Sequence, residues 1–236
     1  MKILSKIILT STLLSICGVS FVHASTPLNT TLGKYYVDKV YNIVPYDKKA
    51  NKNVLLITID DGPSKYGQSM VTTLLKHKAG AIFFVNGIHD KANTGNIKME
   101  YDAGFAIGNH TWSHVNLSKT SKDNVNKEID SNTKLIKKIT GEDPAFFRPP
   151  YGVSNKYVRD TVKKDGMIFM NWSGAAKDWE KNTRDEKVFT SNVTKYLHPG
   201  EILLIHEHEW TAKYLDDLLT ELEKKGYTFI DPKDIQ

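Results

Sequence analysis

From residue 54 onward, short uninterrupted runs of apolar residues alternate with longer segments in which apolar residues recur every three or four positions. We predict a strand at each of seven apolar runs, which cover residues 54–59, 81–85, 105–108, 145–147, 167–172, 202–205 and 227–230. Strands that are apolar throughout, rather than at alternate positions, are typical of parallel sheets buried on both faces. The pattern therefore favours a parallel sheet covered by helices.

The segments between these runs are predicted to be amphipathic helices. Their apolar faces consist of Met70, Leu74 and Leu75; Val125, Ile129, Ile136 and Ile139; Val158 and Val162; and Leu215, Leu218, Leu219 and Leu222. A glycine stands just before four of the apolar runs, at Gly80, Gly104, Gly166 and Gly226, where a helix-ending glycine is expected. Seven strands that alternate with helices predict an α/β fold, either a barrel or a doubly wound sheet.

The N-terminal segment differs from the rest of the chain. Lys2 and Lys6 precede an apolar run over residues 7–22, which leads to Ala24. This order of charged, apolar and small residues predicts a secretory signal peptide at residues 1–24, after whose cleavage no stable membrane insertion is expected. The alternative is an uncleaved segment that tethers the protein to the membrane. Residues 25–52 are predicted to form an N-terminal extension that docks on a single domain at residues 53–236.

Composition and charge narrow the class of protein. The 236 residues are 40% hydrophobic and 25% charged, which fits a globular protein and excludes a disordered chain. Loss of the two signal lysines lowers the formal net charge from +5 to +3, and no basic stripe interleaved with aromatics suggests a nucleic-acid partner. The single cysteine, Cys17, follows Ile16 rather than the small residue that a lipoprotein signal needs. An exported chain without cysteines suits the exterior of a bacterium.

Two polar segments follow predicted strands and have the residue types of a metal site. Asp60 and Asp61 end the run at 54–59, and they suit a division of labour in which one carboxylate binds a metal and the other acts as a base. His110 and His114 follow the run at 105–108, and on a helical turn this spacing lets both bind one cation. Thr111 stands where zincin proteases have glutamate, so peptidase chemistry lacks its base.

Three further polar segments also follow predicted strands. Arg148 precedes two prolines that lack N–H groups, so Tyr151 is the first backbone donor of this loop and suits a developing oxyanion. Asp178 and His206 can pair, which would raise the pKa of the histidine. Each segment alone is more typical of a turn or a structural contact. Because the carboxyl ends of parallel strands face one side of a barrel, we expect all five segments to converge on one site.

Taken in order, these segments resemble the motifs of the polysaccharide deacetylase family, also called the NodB-homology domain or carbohydrate esterase family four. The matching segments are Thr58-Ile59-Asp60-Asp61-Gly62-Pro63, residues 110–114, residues 148–152, Asp178-Trp179 and Leu204-Ile205-His206, and the match covers about residues 53–232. The resemblance implies a distorted α/β barrel of seven to eight parallel strands in a single domain. It also implies a hydrolase that acts on carbon–nitrogen bonds other than peptide bonds and removes acetyl groups from N-acetylated sugars.

The resemblance also implies a role for each matching residue. Asp61, His110 and His114 would bind one divalent metal ion, most often zinc, with cobalt, manganese or nickel as alternatives. Asp60 would be the general base and His206 the general acid. Arg148 would position Asp60, Asp178 would tune His206, and Tyr151 would donate its N–H to the oxyanion. Trp179 and Leu204 would form the slot for the acetyl methyl group.

The implied substrate is an N-acetylglucosamine-containing polysaccharide, and bacterial cell-wall peptidoglycan is favoured because the chain looks exported. Poly-N-acetylglucosamine, chitooligosaccharides and O-acetylated xylan are alternatives within the same chemistry. Rival hypotheses are a catalytically idle, glycan-binding relative and an amidohydrolase of a small cyclic amide. The predicted location is secreted or cell-wall associated, with membrane tethering as the alternative.

Three positions depart from the family pattern. Ile59 replaces the usual phenylalanine, Ala175 stands where a further aspartate is frequent, and Glu207 follows His206 where aspartate is more usual. The change at Ala175 puts the shape of that loop in doubt. Glu207, His208 and Glu209 are predicted to be solvent-facing neighbours of His206, with a second cation site as the alternative.

Overall fold

The computed structural model describes residues 35–236. The predicted signal peptide and residues 25–34 of the predicted extension lie outside this range. The described part of the extension begins with an antiparallel hairpin of β1 (Tyr35–Val37) and β2 (Ile43–Pro45). The hairpin is tied to the rest of the chain by a bridge from Tyr35 to Ile235 and another from Asn42 to Glu201.

A curled parallel sheet forms the centre of the molecule. Its strands are β3 (Val54–Gly62), β4 (Ala81–Val85), β5 (Ala106–Asn109), β6 (Phe146–Phe147), β7 (Ile168–Phe169), β8 (Gly174–Ala175), β9 (Glu201–His206) and β10 (Thr228–Phe229). They are ordered β7-β6-β5-β4-β3-β9-β8, and β10 pairs with the beginning of β3. Within residues 35–236 no ladder joins β7 to β8, so the barrel is open on that side. The predicted distorted α/β barrel is confirmed.

Helices cover the outer face of the sheet. They are α1 (Gly67–Lys76), α2 (Gly87–Asp90), α3 (Asn96–Asp102), α4 (Lys122–Thr140), α5 (Lys156–Lys164), α6 (Glu186–Thr194) and α7 (Glu209–Lys224). The apolar faces predicted for the segments 122–140, 156–164 and 209–224 are largely buried as expected. None of the helices within residues 35–236 has the length and hydropathy needed to cross a bilayer.

Strand β3 shows how the two faces of the sheet are used. Leu55, Ile57 and Ile59 point outward into the core shared with the helices, whereas Val54 and Leu56 point inward, as the two-residue alternation of a strand requires. The inward core also receives Tyr35 from the hairpin, which packs at the amino end of the barrel. The next inward positions of β3 are Thr58 and Asp60. The carboxyl end of the barrel, here called the mouth, is therefore lined by polar groups.

Three expectations about local structure are wrong. Leu75 is 49% exposed and does not belong to the buried face of α1. Gly80 does not end a helix with a positive φ; Lys78 does so (φ 52°), and Gly80 is required because a Cβ there would overlap the carbonyl oxygen of Ile230. The apolar run at 167–172 gives only the two-residue strand β7, after which the chain re-enters the sheet as β8, which its sequence did not predict.

Candidate active site

The two aspartates at the end of β3 face the mouth together. Adjacent residues of a regular strand point to opposite faces, but the pairing of β3 with β4 shifts between Asp60 and Gly62, and Asp61 has a φ of 67°. Both carboxylates consequently lie near one imidazole, because His110 Nε2 is 3.6 Å from Asp60 Oδ2 and 3.7 Å from Asp61 Oδ1. The register shift at the end of β3 therefore places two consecutive carboxylates on the same side of the strand.

The two histidines are brought together by a loop and not by the helical turn that the sequence predicted. Thr111 and His114 both have positive φ values, 71° and 57°. Glu128 of α4 holds the loop, since its carboxylate accepts hydrogen bonds from the Ser113 N–H and hydroxyl at 2.8 and 2.7 Å. The ring centroids of His110 and His114 end up 5.0 Å apart. The predicted proximity of the two histidines is therefore observed, but the predicted helical turn is wrong.

Asp61, His110 and His114 fit a divalent metal ion. One ligand atom from each lies within 4.8 Å of the others. His110 Nδ1 donates to the Arg148 carbonyl at 2.7 Å. The lone pair of Nε2 is therefore available on the side of the mouth. Burial lowers the pKa of His110 to about 3, so the ring is neutral as a ligand must be. Asp61 Oδ1 is buried and has no hydrogen-bond partner among the described residues, as expected of an oxygen that serves as a metal ligand.

Asp60 is held by a fully buried arginine. Arg148 Nη1 donates to Asp60 Oδ1 at 2.7 Å and to Thr58 Oγ1 at 2.8 Å, while Nη2 donates to the Asn171 carbonyl at 3.0 Å. The guanidinium also lies over the ring of Phe84. Burial raises the pKa of Asp60, and Arg148 and His206 oppose that rise. The carboxylate is thus fixed in orientation and more basic than in water, which suits a general base.

His206, at the end of β9, is oriented by a buried aspartate. Asp178 Oδ1 lies 2.6 Å from His206 Nδ1, and Oδ2 accepts from the His206 N–H at 2.6 Å and from Thr211 Oγ1 at 2.8 Å. Burial alone would lower the pKa of His206, but the hydrogen bond and charge of Asp178, with the charges of Asp60 and Asp61, raise it to about 9. The imidazole is therefore protonated at neutral pH, and its Nε2 faces the mouth, 4.0 Å from Asp61 Oδ2.

Tyr151 lies in a tight turn beside the candidate metal ligands. Its φ is 60°, and its ring centroid is 4.7 Å from that of His114. The two hydrogen bonds that close the turn are donated by Gly152 and Val153, so neither uses the Tyr151 N–H. This geometry is compatible with the donor role that the sequence suggested.

The two residues predicted to bind the acetyl methyl differ in their surroundings. Trp179 is 50% exposed and stands edge-on to the His206 ring at 5.6 Å. Leu204 is buried on the same inner face of β9 as His206, two positions earlier. Both are therefore neighbours of His206 at the mouth.

Sequence reasoning missed several residues that shape this site. Thr58 bonds to Arg148, and the alternation along β3 could have revealed it because Thr58 shares the face of Asp60. Glu207 is not solvent-facing as predicted but only 5% exposed, packed beneath the turn that carries the two aspartates. Its burial had no signal in the sequence, because a strand-end glutamate is ordinarily solvated.

Known proteins resemble most of this chain. A family model described as "Polysaccharide deacetylase" matches residues 47–170. The peptidoglycan-N-acetylmuramic acid deacetylase PdaA of Bacillus subtilis is 34% identical over 210 residues, which cover 87% of this chain and 77% of that protein. The peptidoglycan-N-acetylglucosamine deacetylase PgdA of Listeria monocytogenes is also 34% identical, over 85% of this chain, and this chain spans only 42% of its length.

Solved structures give the same similarity at the level of the fold. The Bc1960 peptidoglycan N-acetylglucosamine deacetylase superimposes with a TM-score of 0.72 at 28% identity, over 77% of this chain and 87% of that one. The structure of BA3943 from Bacillus anthracis, described as a carbohydrate esterase family four pseudoenzyme, gives a TM-score of 0.73 at 28% identity, over 78% and 65% of the two chains. A BA3943 mutant with restored enzymatic activity matches with the same TM-score. This fold therefore occurs in both active and inactive proteins.

Proposed function

The chain belongs to the polysaccharide deacetylase family, and on that premise we propose that it is an exported, metal-dependent N-deacetylase of peptidoglycan. The observation that carries the proposal is the joint arrangement of a metal-binding triad, an arginine-held carboxylate and an aspartate-held histidine at one mouth. A glycan-binding module needs no such acid–base pair. The three peptidoglycan deacetylases described above favour peptidoglycan over other acetylated polymers.

Asp61, His110 and His114 would hold the cation. When bound there, a divalent ion such as zinc polarises a carbonyl oxygen and acidifies water, and three protein ligands leave positions open for both. The donor set of one carboxylate and two imidazoles suits zinc and also other first-row metals. Cobalt, manganese and nickel therefore belong in any test of the metal requirement.

Asp60 would take the proton of the attacking water. Its Oδ1 is occupied by Arg148, whereas Oδ2 lies on the His110 side, next to the metal ligands. The raised pKa of the buried carboxylate makes it a better base than an exposed aspartate, while the charge of the guanidinium opposes that rise and favours the ionised form. Arg148 acts through Asp60 and is a positioning residue.

His206 would complete the reaction as the general acid. As the tetrahedral intermediate collapses, the C–N bond breaks and the imidazolium gives its Nε2 proton to the sugar amine, which leaves free amine and acetate. The Tyr151 N–H would donate to the oxyanion of that intermediate. Asp178 accepts the His206 Nδ1–H and so keeps that proton on the ring, which leaves Nε2 as the nitrogen that gives up its proton.

Trp179 and Leu204 would border the acetyl group. An exposed indole beside the acid offers an apolar wall, and the small methyl group needs little more. The chain would reach its polymer outside the membrane if residues 1–24 act as a signal peptide. Detection of the chain in the cell-wall or culture fraction, shortened at Ala24, supports that part of the proposal; retention of the full chain in the cytosol contradicts it.

The direct test compares acetate release from four polymers: peptidoglycan, poly-N-acetylglucosamine, chitooligosaccharides and O-acetylated xylan. Each is incubated with the purified chain and zinc or cobalt, and again with a chelator. We expect metal-dependent acetate release that is fastest from peptidoglycan. Mass analysis of muramidase digests then tells whether glucosamine or muramic acid has lost its acetyl group, a distinction on which the relatives themselves differ.

The other outcomes are equally informative. Faster acetate release from another polymer contradicts peptidoglycan as the substrate but still supports metal-dependent deacetylation. Metal binding without acetate release from any polymer contradicts the enzyme and favours the idle, glycan-binding alternative that the pseudoenzyme BA3943 exemplifies. Activity on small cyclic amides alone would favour an amidohydrolase.

A further inference from the structure

Two buried acids that the mechanism does not use lie beneath the turn that carries Asp60 and Asp61. Glu207 follows the acid His206 and is 5% exposed, and Glu100 of α3 is completely buried. Buried carboxyl groups are expensive unless they are paired or hydrogen-bonded. Their presence here therefore calls for a physical reason.

Glu207 is bonded to the loop that follows the aspartates. Its Oε2 accepts the Ser64 N–H at 2.7 Å, and its carbonyl accepts the Ser64 hydroxyl at 3.3 Å. The Glu207 N–H in turn donates to the Asp60 carbonyl at 3.2 Å. Asp60 itself and the loop residue Ser64, which lie on either side of Asp61, are thus attached to Glu207.

Two glycines make room for the acid pair. A Cβ on Gly62 would overlap Glu207 Oε1. A Cβ on Gly67, at the beginning of α1, would lie 2.7 Å from Glu100 Oε1 and 3.2 Å from Glu207 Oε2. The two carboxyl groups therefore approach each other in a space that the absent side chains leave open.

Three of the four oxygens of this acid pair have no hydrogen-bond donor: within residues 35–236 none reaches either oxygen of Glu100 or Glu207 Oε1. Burial raises the pKa of both, that of Glu207 to about 7, and the interaction between them raises that of Glu100 further. A proton kept by Glu100 would supply the donor that Glu207 Oε1 lacks, whereas Glu207 Oε2 already accepts from Ser64.

The opposite side of the same loop is also held by side chains. His89 Nδ1 donates to the Asp61 carbonyl at 3.0 Å, Asn93 donates to the Pro63 carbonyl at 2.9 Å, and Asn96 donates to the Ser64 carbonyl at 2.7 Å. These groups from α2, α3 and the segment between them bind the carbonyl oxygens. Glu207 supplies the complementary acceptor for the N–H of the loop.

We propose that Glu207 and Glu100 are positioning residues for the metal-binding turn: Glu100 fixes the Glu207 carboxyl, and Glu207 fixes the backbone that presents Asp61. The inference rests on the proposed function, because it takes Asp61 as a metal ligand. Groups that hold a ligand in place typically change metal affinity or activity 10- to 100-fold when they are removed. A merely space-filling acid pair would affect stability and not metal affinity.

The test measures zinc affinity by competition with a chromophoric chelator, without substrate. Glu100→Leu removes the donor to Glu207, whereas Glu100→Gln keeps a donor in the amide group. We expect Glu100→Leu to weaken zinc binding at least tenfold and Glu100→Gln to stay within about twofold of wild type. The visible spectrum of the cobalt-loaded chain should change in Glu100→Leu and not in Glu100→Gln.

Glu201→Leu is the matched control, because Glu201 is an equally buried acid at the opposite end of β9. It should leave zinc affinity unchanged whatever its effect on thermal stability. Equal affinities in Glu100→Leu and Glu100→Gln, or an equal loss in Glu201→Leu, overturn the proposal. If Glu100→Leu does not fold, Glu100→Asp decides, because its shorter side chain withdraws the donor; affinity at least threefold below that of Glu100→Gln is expected, and equality overturns the proposal.

Zinc affinity and acetate release separate this inference from the function it rests on. A wild-type chain that binds zinc and responds to these variants, but releases no acetate, contradicts the proposed function and supports the positioning role. A wild-type chain that releases acetate while all Glu100 variants bind zinc equally well overturns only the positioning role. A wild-type chain that binds no zinc contradicts both.

Discussion

The side chain of Arg148 illustrates how much one buried residue determines at this site. It is fully buried and bonds at once to Asp60, Thr58 and the Asn171 carbonyl. A buried ion pair adds little net stability, but removal of one partner leaves an uncompensated charge. We therefore expect the main role of Arg148 to be to orient Asp60 and to favour its ionised form.

Arg148→Met should destabilise the chain and inactivate it together. The free energy of unfolding is expected to fall by about 3–5 kcal/mol, because Asp60 stays buried without its partner. Urea unfolding measures this loss. Arg148→Lys is the comparison variant: it keeps the positive charge but cannot reproduce the branched hydrogen bonds, so we expect intermediate stability and low activity. Wild-type activity in Arg148→Lys would contradict the positioning role.

Asp178→Asn should lower kcat for acetate release by roughly 10²- to 10⁴-fold, the range of general acid–base catalysis. The amide can no longer accept both the His206 ring N–H and the backbone N–H while stabilising the imidazolium. Thr211→Val, which removes only one hydrogen bond to Asp178, serves as the control and should retain most of the activity. A kcat in Asp178→Asn equal to that of Thr211→Val would argue against His206 as the acid.

At the scale of elements, the apolar pattern predicted the sheet well and the irregular segments poorly. Ala81–Val85 is a strand with the predicted bounds, because five consecutive buried apolar residues leave few alternatives. The loop at 110–114 was predicted to be helical, yet its shape depends on Glu128, which is distant in the sequence. Such tertiary contacts leave no trace in local periodicity.

The residue types of the site were also predictable from their place after strands, whereas their support was not. Asp60 and His206 are paired across β3 and β9, so their convergence follows from parallel register alone. The burial of Glu207 depends on Glu100, over a hundred positions earlier, and on two glycines that lack side chains. Neither relation is visible without the fold.

The hairpin of β1 and β2 makes its own contribution to stability. Tyr35 is fully buried at the amino end of the barrel, and its hydroxyl donates to the Asn51 carbonyl at 3.0 Å. Tyr35→Ala should lower the free energy of unfolding by about 3–5 kcal/mol, as for other large buried aromatics. Tyr46→Ala, at an exposed tyrosine of the same extension, should change it by less than about 0.5 kcal/mol. Equal losses of unfolding free energy in the two variants, measured by urea unfolding, would contradict a stabilising role for the buried Tyr35 side chain.

At the scale of the whole molecule, the candidate active site and a buried acid that affects stability lie at opposite ends of the barrel. The proposed catalytic groups lie at the mouth, while Glu201 is buried at the beginning of β9, with His198 Nε2 3.7 Å away. Burial raises the pKa of Glu201 to about 7 from 4.5, and His198 opposes the rise. A titration at this end of the barrel should therefore change stability without touching the site.

The sign of that effect follows from proton binding. Between pH 4.5 and about 7 the folded chain retains the Glu201 proton and the unfolded chain loses it, so stability falls as the pH rises through this window. Glu201→Gln removes this slope. Relative to wild type, its free energy of unfolding should increase by about 3 kcal/mol between pH 4.5 and 8. A difference that stays constant over this range in urea unfolding would contradict the buried acid.

In the proposed reaction, a metal ion bound at the mouth and the base Asp60 together hydrolyse the acetamide groups of peptidoglycan. The most direct measurement is acetate released from purified peptidoglycan by the zinc-loaded wild type and by zinc-loaded Asp60→Asn, with bound zinc quantified in both. The account predicts equal zinc content, metal-dependent acetate release by wild type, and at least a hundredfold lower rate in Asp60→Asn. Equal rates in the two chains, or no acetate from zinc-loaded wild type, would contradict it.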